Sequence, residues 1–176
     1  MARKPAGEIP SEDSGLSQAL LRKAGALLAR RQHSRGELRR KLLKFAGEPQ
    51  VEAVLDRLEQ LNLLNDGEYA YNFALYRMGR QVWGPAKVYE DLRSRYVKDE
   101  IIEKALDRVQ NELGDEAISL DYIRKYCRNH WPPADKKHIQ KLIMHLRGRG
   151  FSNAAILEAL DRIPGSSVSQ HFEMGE

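Results

Sequence analysis

A chain of 176 residues, 41% apolar and 31% charged with a net charge of +4, can fold as one domain or as a short array of small helical units. It is too apolar to stay disordered, and its apolar runs fall short of the ~18 residues that cross a bilayer. The single cysteine, Cys127, excludes an internal disulfide framework and fits a reducing compartment, so the cytoplasm is the expected location.

In chain order, residues 1–15 mix Pro, Gly, Glu and Asp without the apolar segment of a secretory leader, and read as a flexible tail. A first helix follows, with Leu20, Ala24, Leu27 and Leu28 on one side. Ser34 and Glu37 have the spacing of a capping box, in which the serine oxygen accepts from the amide three residues on while the glutamate reaches back. The second helix is therefore expected to start there, with Leu38, Leu42 and Phe45 inward and Arg39, Arg40 and Lys44 outward. Val51, Val54, Leu55, Leu58 and Leu61 then form one stripe of a 3.6-residue period, a third helix.

The pattern continues with Ala70, Phe73 and Ala74 on a fourth helix. Gly84-Pro85 supplies a cap and a proline at the first helical position, where its missing N–H does no harm. Trp83 before the cap and Val88 after it have the spacing of a hydrophobic staple. Trp83 is therefore read as structural rather than as a base-stacking platform. Ile102, Ala105, Leu106, Val109 and Leu113 make the next stripe. Ala117, Leu120, Ile123 and Cys127 open a third set, and Ile139 and Leu142 mark its second helix. Gly148 and Gly150 can end that helix in the left-handed region. Phe151 and Ser152 staple and cap the last one, which carries Ile156, Ala159, Leu160 and Ile163. Residues 165–176 read as a second tail. No segment shows the alternation of a strand, so the fold is expected to be all-α.

These elements are three copies of one unit. Leu55-Asp56-Arg57-Leu58 returns as Leu106-Asp107-Arg108-Val109 and as Leu160-Asp161-Arg162-Ile163, at intervals of about 50 residues, the range of helical repeats. Leu38 and Leu42 return in the same register as Val88 and Leu92, then as Ile139 and Leu142. The expected repeats are 16–64, 65–113 and 114–164, each of three helices. A single unit cannot bury its stripes alone, which predicts stacking into an elongated, curved array.

Charge is segregated along this frame. Nine basic residues between Arg22 and Lys44 face one acid, Glu37; six acids between Glu48 and Glu68 face one base, Arg57. Eight basic residues between Arg124 and Arg149 then face Asp135 alone. Such blocks steer association with a polyanion or an acidic protein face, or are ordinary solvated helix faces.

Catalytic constellations are missing. Gly79 and Gly84 have the spacing of a nucleotide-binding loop, but Pro85 and Ala86 stand where lysine and a hydroxyl are needed. Cys127 and His130 could share a metal, yet two further ligands are lacking. His138 and His145 lie on one helix side with no nucleophile or carboxylate to complete a triad. No enzyme, metal or cofactor is expected. A sequence-reading helix-turn-helix is disfavoured too, because the third helices carry Glu52, Asp56 and Glu59, then Asp99, Glu100, Glu103 and Asp107, which phosphate repels. The basic second helices could touch phosphates without reading bases.

Three segments carry a family resemblance: His33-Ser34-Arg35-Gly36-Glu37-Leu38 with Lys41-Leu42-Leu43; Trp83-Gly84-Pro85-Ala86-Lys87-Val88 with Asp91-Leu92; and Arg149-Gly150-Phe151-Ser152 with Ile156 and Ala159-Leu160. In their order and spacing they resemble the RecX family across about Leu16 to Ile163. The chain departs from that pattern at Gly47-Glu48-Pro49, one residue short of a Gly-Phe turn, at Tyr96, where glycine is usual, and at Glu90, an acid at an otherwise basic outer position.

The resemblance implies a monomeric regulator that docks along RecA recombinase nucleoprotein filaments and restrains recombinase, ATPase and co-protease activity. Weak contact with single- or double-stranded DNA could accompany docking. The expected contacts are Arg35, Arg39, Arg40 and Lys44 in the first repeat, Arg93 in the second, and Lys137 and Lys141 in the third. A helical scaffold, or a nucleic-acid binder without sequence preference and with another partner, remains the alternative.

Overall fold

The computed structural model describes residues 11–113, 118, 120–133 and 135–164, with backbone alone for 11–14. Nine α-helices and no strand occur among the described residues: α1 Ser11–Leu28, α2 Arg35–Leu42, α3 Glu48–Gln60, α4 Asp66–Leu75, α5 Pro85–Arg93, α6 Asp99–Leu113, α7 Leu120–Cys127, α8 Lys136–Gly148 and α9 Asn153–Asp161. The all-helical expectation is met. The chain divides into two compact units: one of residues up to Tyr69 together with Arg95–Val97, the other of Ala70–Ser94 and everything from Lys98 on.

In the first unit α1, α2 and α3 pack on one another. Their apolar stripes meet in a core of Leu20, Ala24, Leu38, Leu42, Val51, Val54, Leu55, Leu58 and Leu64. The capping box is present: the Glu37 amide donates to Ser34 Oγ at 3.0 Å, and the Ser34 amide donates to Glu37 Oε2 at 3.4 Å. Phe45 departs from expectation. The helix ends at Leu42, the chain turns, and the ring is left 52% exposed with Lys23 Nζ 3.3 Å from its centre. Leu61 likewise lies beyond the end of α3 and is exposed. At the other end, α1 reaches back to Ser11, into the stretch read as tail.

In the second unit α5 packs on α6 through Val88, Leu92, Ile102, Ala105, Leu106 and Val109. A further core gathers Ile118, Ile123, Leu142, Leu146, Phe151, Ile156, Ala159, Leu160 and Ile163. Leu120 is exposed rather than part of the stripe, and Cys127 is half-buried against this core. Ala117 and the C-terminal tail lie outside the described residues. The caps at Gly84 and Ser152 stand as expected, the latter accepting from the Ala155 amide at 3.2 Å. Asp135 adds a cap that the sequence reading missed, accepting from the His138 amide at 2.8 Å. Trp83 is half-buried, with Arg77 and Lys87 at 4.4 and 5.7 Å from its ring. Gly148 stays helical; only Gly150 is left-handed, with φ +85°.

The same joint occurs once in each unit. In the first, the Ser34 hydroxyl donates to the Arg95 carbonyl, and Gly36 lies against Tyr96, where an added Cβ would come within 2.3 Å of the tyrosine Cβ. In the second, the Gly84 amide donates to the Arg149 carbonyl at 2.8 Å, and a Cβ on Gly150 would meet the Lys87 amide at 2.5 Å. Within each unit a turn thus sits on the N-cap of a helix. That is the physical content of the three motif segments: each supplies either a cap or the turn that closes on it.

Candidate functional site

The basic face of α2 is built on the buried Leu38 and Leu42, which fix the helix roll and leave its cations outside the core. Part of that charge is spoken for. Arg35 holds Glu52, Asp56 and Glu59, each at 2.7 Å, and Arg39 reaches Glu52 at 2.6 Å and also Glu48. The hydrogen bond from Arg39, helped by Arg35, keeps the Glu52 carboxyl below the usual carboxylate range. The carboxylates on Arg35 outweigh its desolvation and raise its pKa. The acidic block of α3 therefore lies over half of the basic block of α2 as a network of charges within one unit.

Two of the expected contacts stay available, Arg40 on this helix and Lys44, which lies in the turn beyond the helix end rather than on it. Lys44 is exposed and forms no ion pair among the described residues. Arg40 is exposed, with its guanidinium 5.3 Å from the ring centre of Tyr96. Beneath them a polar network anchors the N-terminus of α2. Glu37 pairs with Arg31 at 3.0 Å and Arg95 at 3.6 Å, and Tyr69 donates to it at 3.4 Å. Burial pushes the Glu37 carboxyl up, but Arg31, the Ser34 amide and Arg95 together hold it below its ordinary value.

His33 is buried beside this network, with Nδ1 2.9 Å from the Arg31 carbonyl and Nε2 2.9 Å from Lys41 Nζ. Facing a carbonyl, Nδ1 must carry the proton, so Nε2 accepts from the lysine ammonium. Burial lowers the His33 pKa, and the nearby Arg31 and Lys41 charges lower it further against the opposing Arg31 carbonyl. The ring is a neutral structural wedge.

In the second unit Arg93 is 62% exposed, with Asp99 at 3.9 Å. Lys137 and Lys141 are exposed on α8, one turn apart on one side of the helix. Sequence reading missed what lies beside them. Tyr126 stacks on His145 and His130 on His138, each pair with ring centres 4.0 Å apart. The signal was the helical spacing of Tyr122, Tyr126 and His130, together with the shared side of His138 and His145. No cluster of potential metal ligands occurs among the described residues, and no described helix is long and apolar enough to cross a membrane.

Known proteins are similar to this chain. Residues 21–58 match the model of the first three-helix domain of RecX, and residues 65–106 that of its second. The regulatory protein RecX of Prosthecochloris aestuarii is 37% identical over 154 residues, spanning 86% of this chain and 97% of that protein. That of Pseudomonas fluorescens strain SBW25 is 36% identical over 143 residues, 81% of this chain and 90% of its own. The crystal structure of RecX from Lactobacillus salivarius superposes with a TM-score of 0.76 at 21% identity, covering 85% of this chain and 97% of that one, a likeness of fold. The matches span almost the whole length of these relatives, and on that ground the chain belongs to the RecX family of regulatory proteins.

Proposed function

We propose that this protein docks on the nucleoprotein filament of the RecA recombinase, in the cytoplasm, and restrains its recombinase, ATPase and co-protease activities. RecX proteins are non-enzymatic regulators of RecA, and membership in the family supports that reading. The observation that carries the docking surface is the charge left on and beside the second helices after the internal ion pairs have formed: Arg40 on α2 and Lys44 in the turn that follows it, Lys137 and Lys141 on α8. Arg93 extends the set at the end of α5. Arg35 and Arg39 join it only where a partner's carboxylates or phosphates displace those of α3. The parse into repeats 16–64, 65–113 and 114–164 makes these helices equivalent positions on three successive units.

Charge reversal tests the surface. Arg40→Glu with Lys44→Glu, and separately Lys137→Glu with Lys141→Glu, should each weaken binding to a filament on single-stranded DNA and flatten its salt dependence. Binding to the filament should fall further than binding to bare DNA if protein carboxylates are the main target. Unchanged filament affinity in both variants would remove these helices as the docking surface.

A further inference from the structure

The turn after α2 leaves an aromatic ring outside the core of the first unit, and α1 runs beside it. Leu16, Ala19, Leu20 and Lys23 return to one side of α1 over two turns, about 10 Å of axis. With Phe45 they line an open groove of about 320 Å³. Leu20 is buried and forms the floor, while Leu16 is 39% exposed and Ala19 is exposed. The small Ala19 side chain, between Leu16 and Lys23, leaves the room. Apolar side chains scattered singly over a surface are ordinary; several gathered around one groove mark a place of contact.

The rim of the groove is cationic. Lys23 lies across the Phe45 ring, with Nζ 3.3 Å from its centre. Lys44 precedes Phe45 in the turn, and Arg22 lies one turn from Ala19 on α1. All three are exposed, and none pairs with a carboxylate among the described residues. Glu48, at the start of α3, is taken by Arg39. An apolar groove with such a rim asks for carboxylates set around one bulky apolar side chain. An aromatic side chain suits it best, because a ring adds a second π face for the Lys23 ammonium to the apolar area it buries. The bases of a nucleic acid would meet mostly aliphatic walls rather than a stacking platform.

We propose that this groove binds an acidic segment of a partner protein through one aromatic side chain flanked by carboxylates. The ring enters beside Phe45 and over Leu20, and the carboxylates pair with Lys23, Arg22 and Lys44 at the rim. A contact of this kind takes its affinity from the one buried anchor and its partner choice from charge. It involves α1 and the turn after α2 alone and does not rest on docking to the recombinase filament.

Proton–nitrogen NMR spectra of the full chain, titrated with the capped peptide Asp-Asp-Phe-Asp-Asp, test it. An all-aspartate peptide of equal length and Lys-Lys-Phe-Lys-Lys are the controls. Saturable shifts should gather on residues 16–23 and 43–46, with the first peptide bound about 5-fold or more tightly than either control. Phe45→Ala and Lys23→Glu should each remove about 5-fold or more of that affinity. Both side chains are exposed, so the rest of the spectrum should stay in place. Lys23→Glu should also gain affinity for the lysine-flanked peptide. Equal binding of the all-aspartate peptide would reduce the groove to a charge patch, and equal binding of the lysine-flanked one to a plain apolar patch; either overturns the proposal. So would displacement of the peptide by an oligothymidylate of equal charge. Shifts of the same residues with protein concentration alone would assign the groove to a second copy of the chain. Binding seen only after removal of residues 1–10 would assign it to the chain's own leading segment. Both results overturn the proposal, as does the absence of saturable shifts.

Discussion

The Gly84 amide and the Arg149 carbonyl, 2.8 Å apart, hold the start of α5 against the turn that follows α8. A methyl group on Gly84 would place its carbon 2.2 Å from the Gly150 carbonyl oxygen, where only backbone could give way. Gly84→Ala should therefore destabilise the protein by about 2 kcal/mol, the usual cost of overpacking a tight site. Gly25→Ala, within α1 and with open space around its Cα, should instead add about 0.5–1 kcal/mol by helix propensity. Midpoints of urea unfolding report both signs.

Tyr96 holds the turn of the first joint with φ +62°, a conformation that glycine adopts freely. Tyr96→Gly should raise stability by about 1 kcal/mol, even though Arg40 loses the ring beside it. Thermal unfolding of the two proteins under one set of conditions measures this.

The charge network between α2 and α3 makes variants on α2 and in the turn after it behave differently. Arg39→Glu sets a carboxylate against Glu48 and Glu52 and should lower the unfolding midpoint, with the loss shrinking as salt is added. Lys44→Glu, which breaks no ion pair among the described residues, should leave the midpoint in place. Unfolding curves at low and high salt separate the two.

His33 makes stability depend on pH. Its folded pKa lies below the ordinary value of about 6.5, so the unfolded chain takes up the proton first as pH falls. Its destabilising contribution is absent well above pH ~6.5, grows as pH falls through that value towards the folded pKa, and levels off below it. His145, lowered by burial and then by Arg149, acts in the same direction. Glu37, with a lowered carboxyl pKa, loses its contribution only in more acid solution. His33→Gln should make the unfolding midpoint less sensitive to pH between about 7.5 and 5.5. A variant with the same sensitivity as the parent protein would contradict the wedge reading.

What could be read from the sequence was whatever is written in local spacing. Ser34 with Glu37 and Gly84 with Pro85 announce helix starts because cap and partner are a turn apart. Val51, Val54, Leu55 and Leu58 announce a buried stripe because a helix alone returns them to one side. Phe45 failed because periodicity was carried past Leu42, where the chain turns. The ion pairs of Arg35 and Arg39 were not legible because roll angle says that a side chain leaves the core and nothing about the acids of a neighbouring helix. Those acids were read correctly as a negative block, but the antiparallel contact that brings Glu52 to Arg39 spans a loop. The stacks of Tyr126 and His145, and of His130 and His138, were hidden for the same reason. Each partner shows a helical spacing, and only the packing of α7 on α8 joins them.

The central claim is regulation of RecA by docking on its filament, and the ATPase of a recombinase filament on single-stranded DNA, followed while this protein is titrated in, tests it most directly. The account predicts a progressive, saturable fall in ATPase, with the protein retained on pelleted filaments more strongly than on bare DNA or on free recombinase. An unchanged ATPase, with the protein left in the supernatant at every concentration, would contradict it.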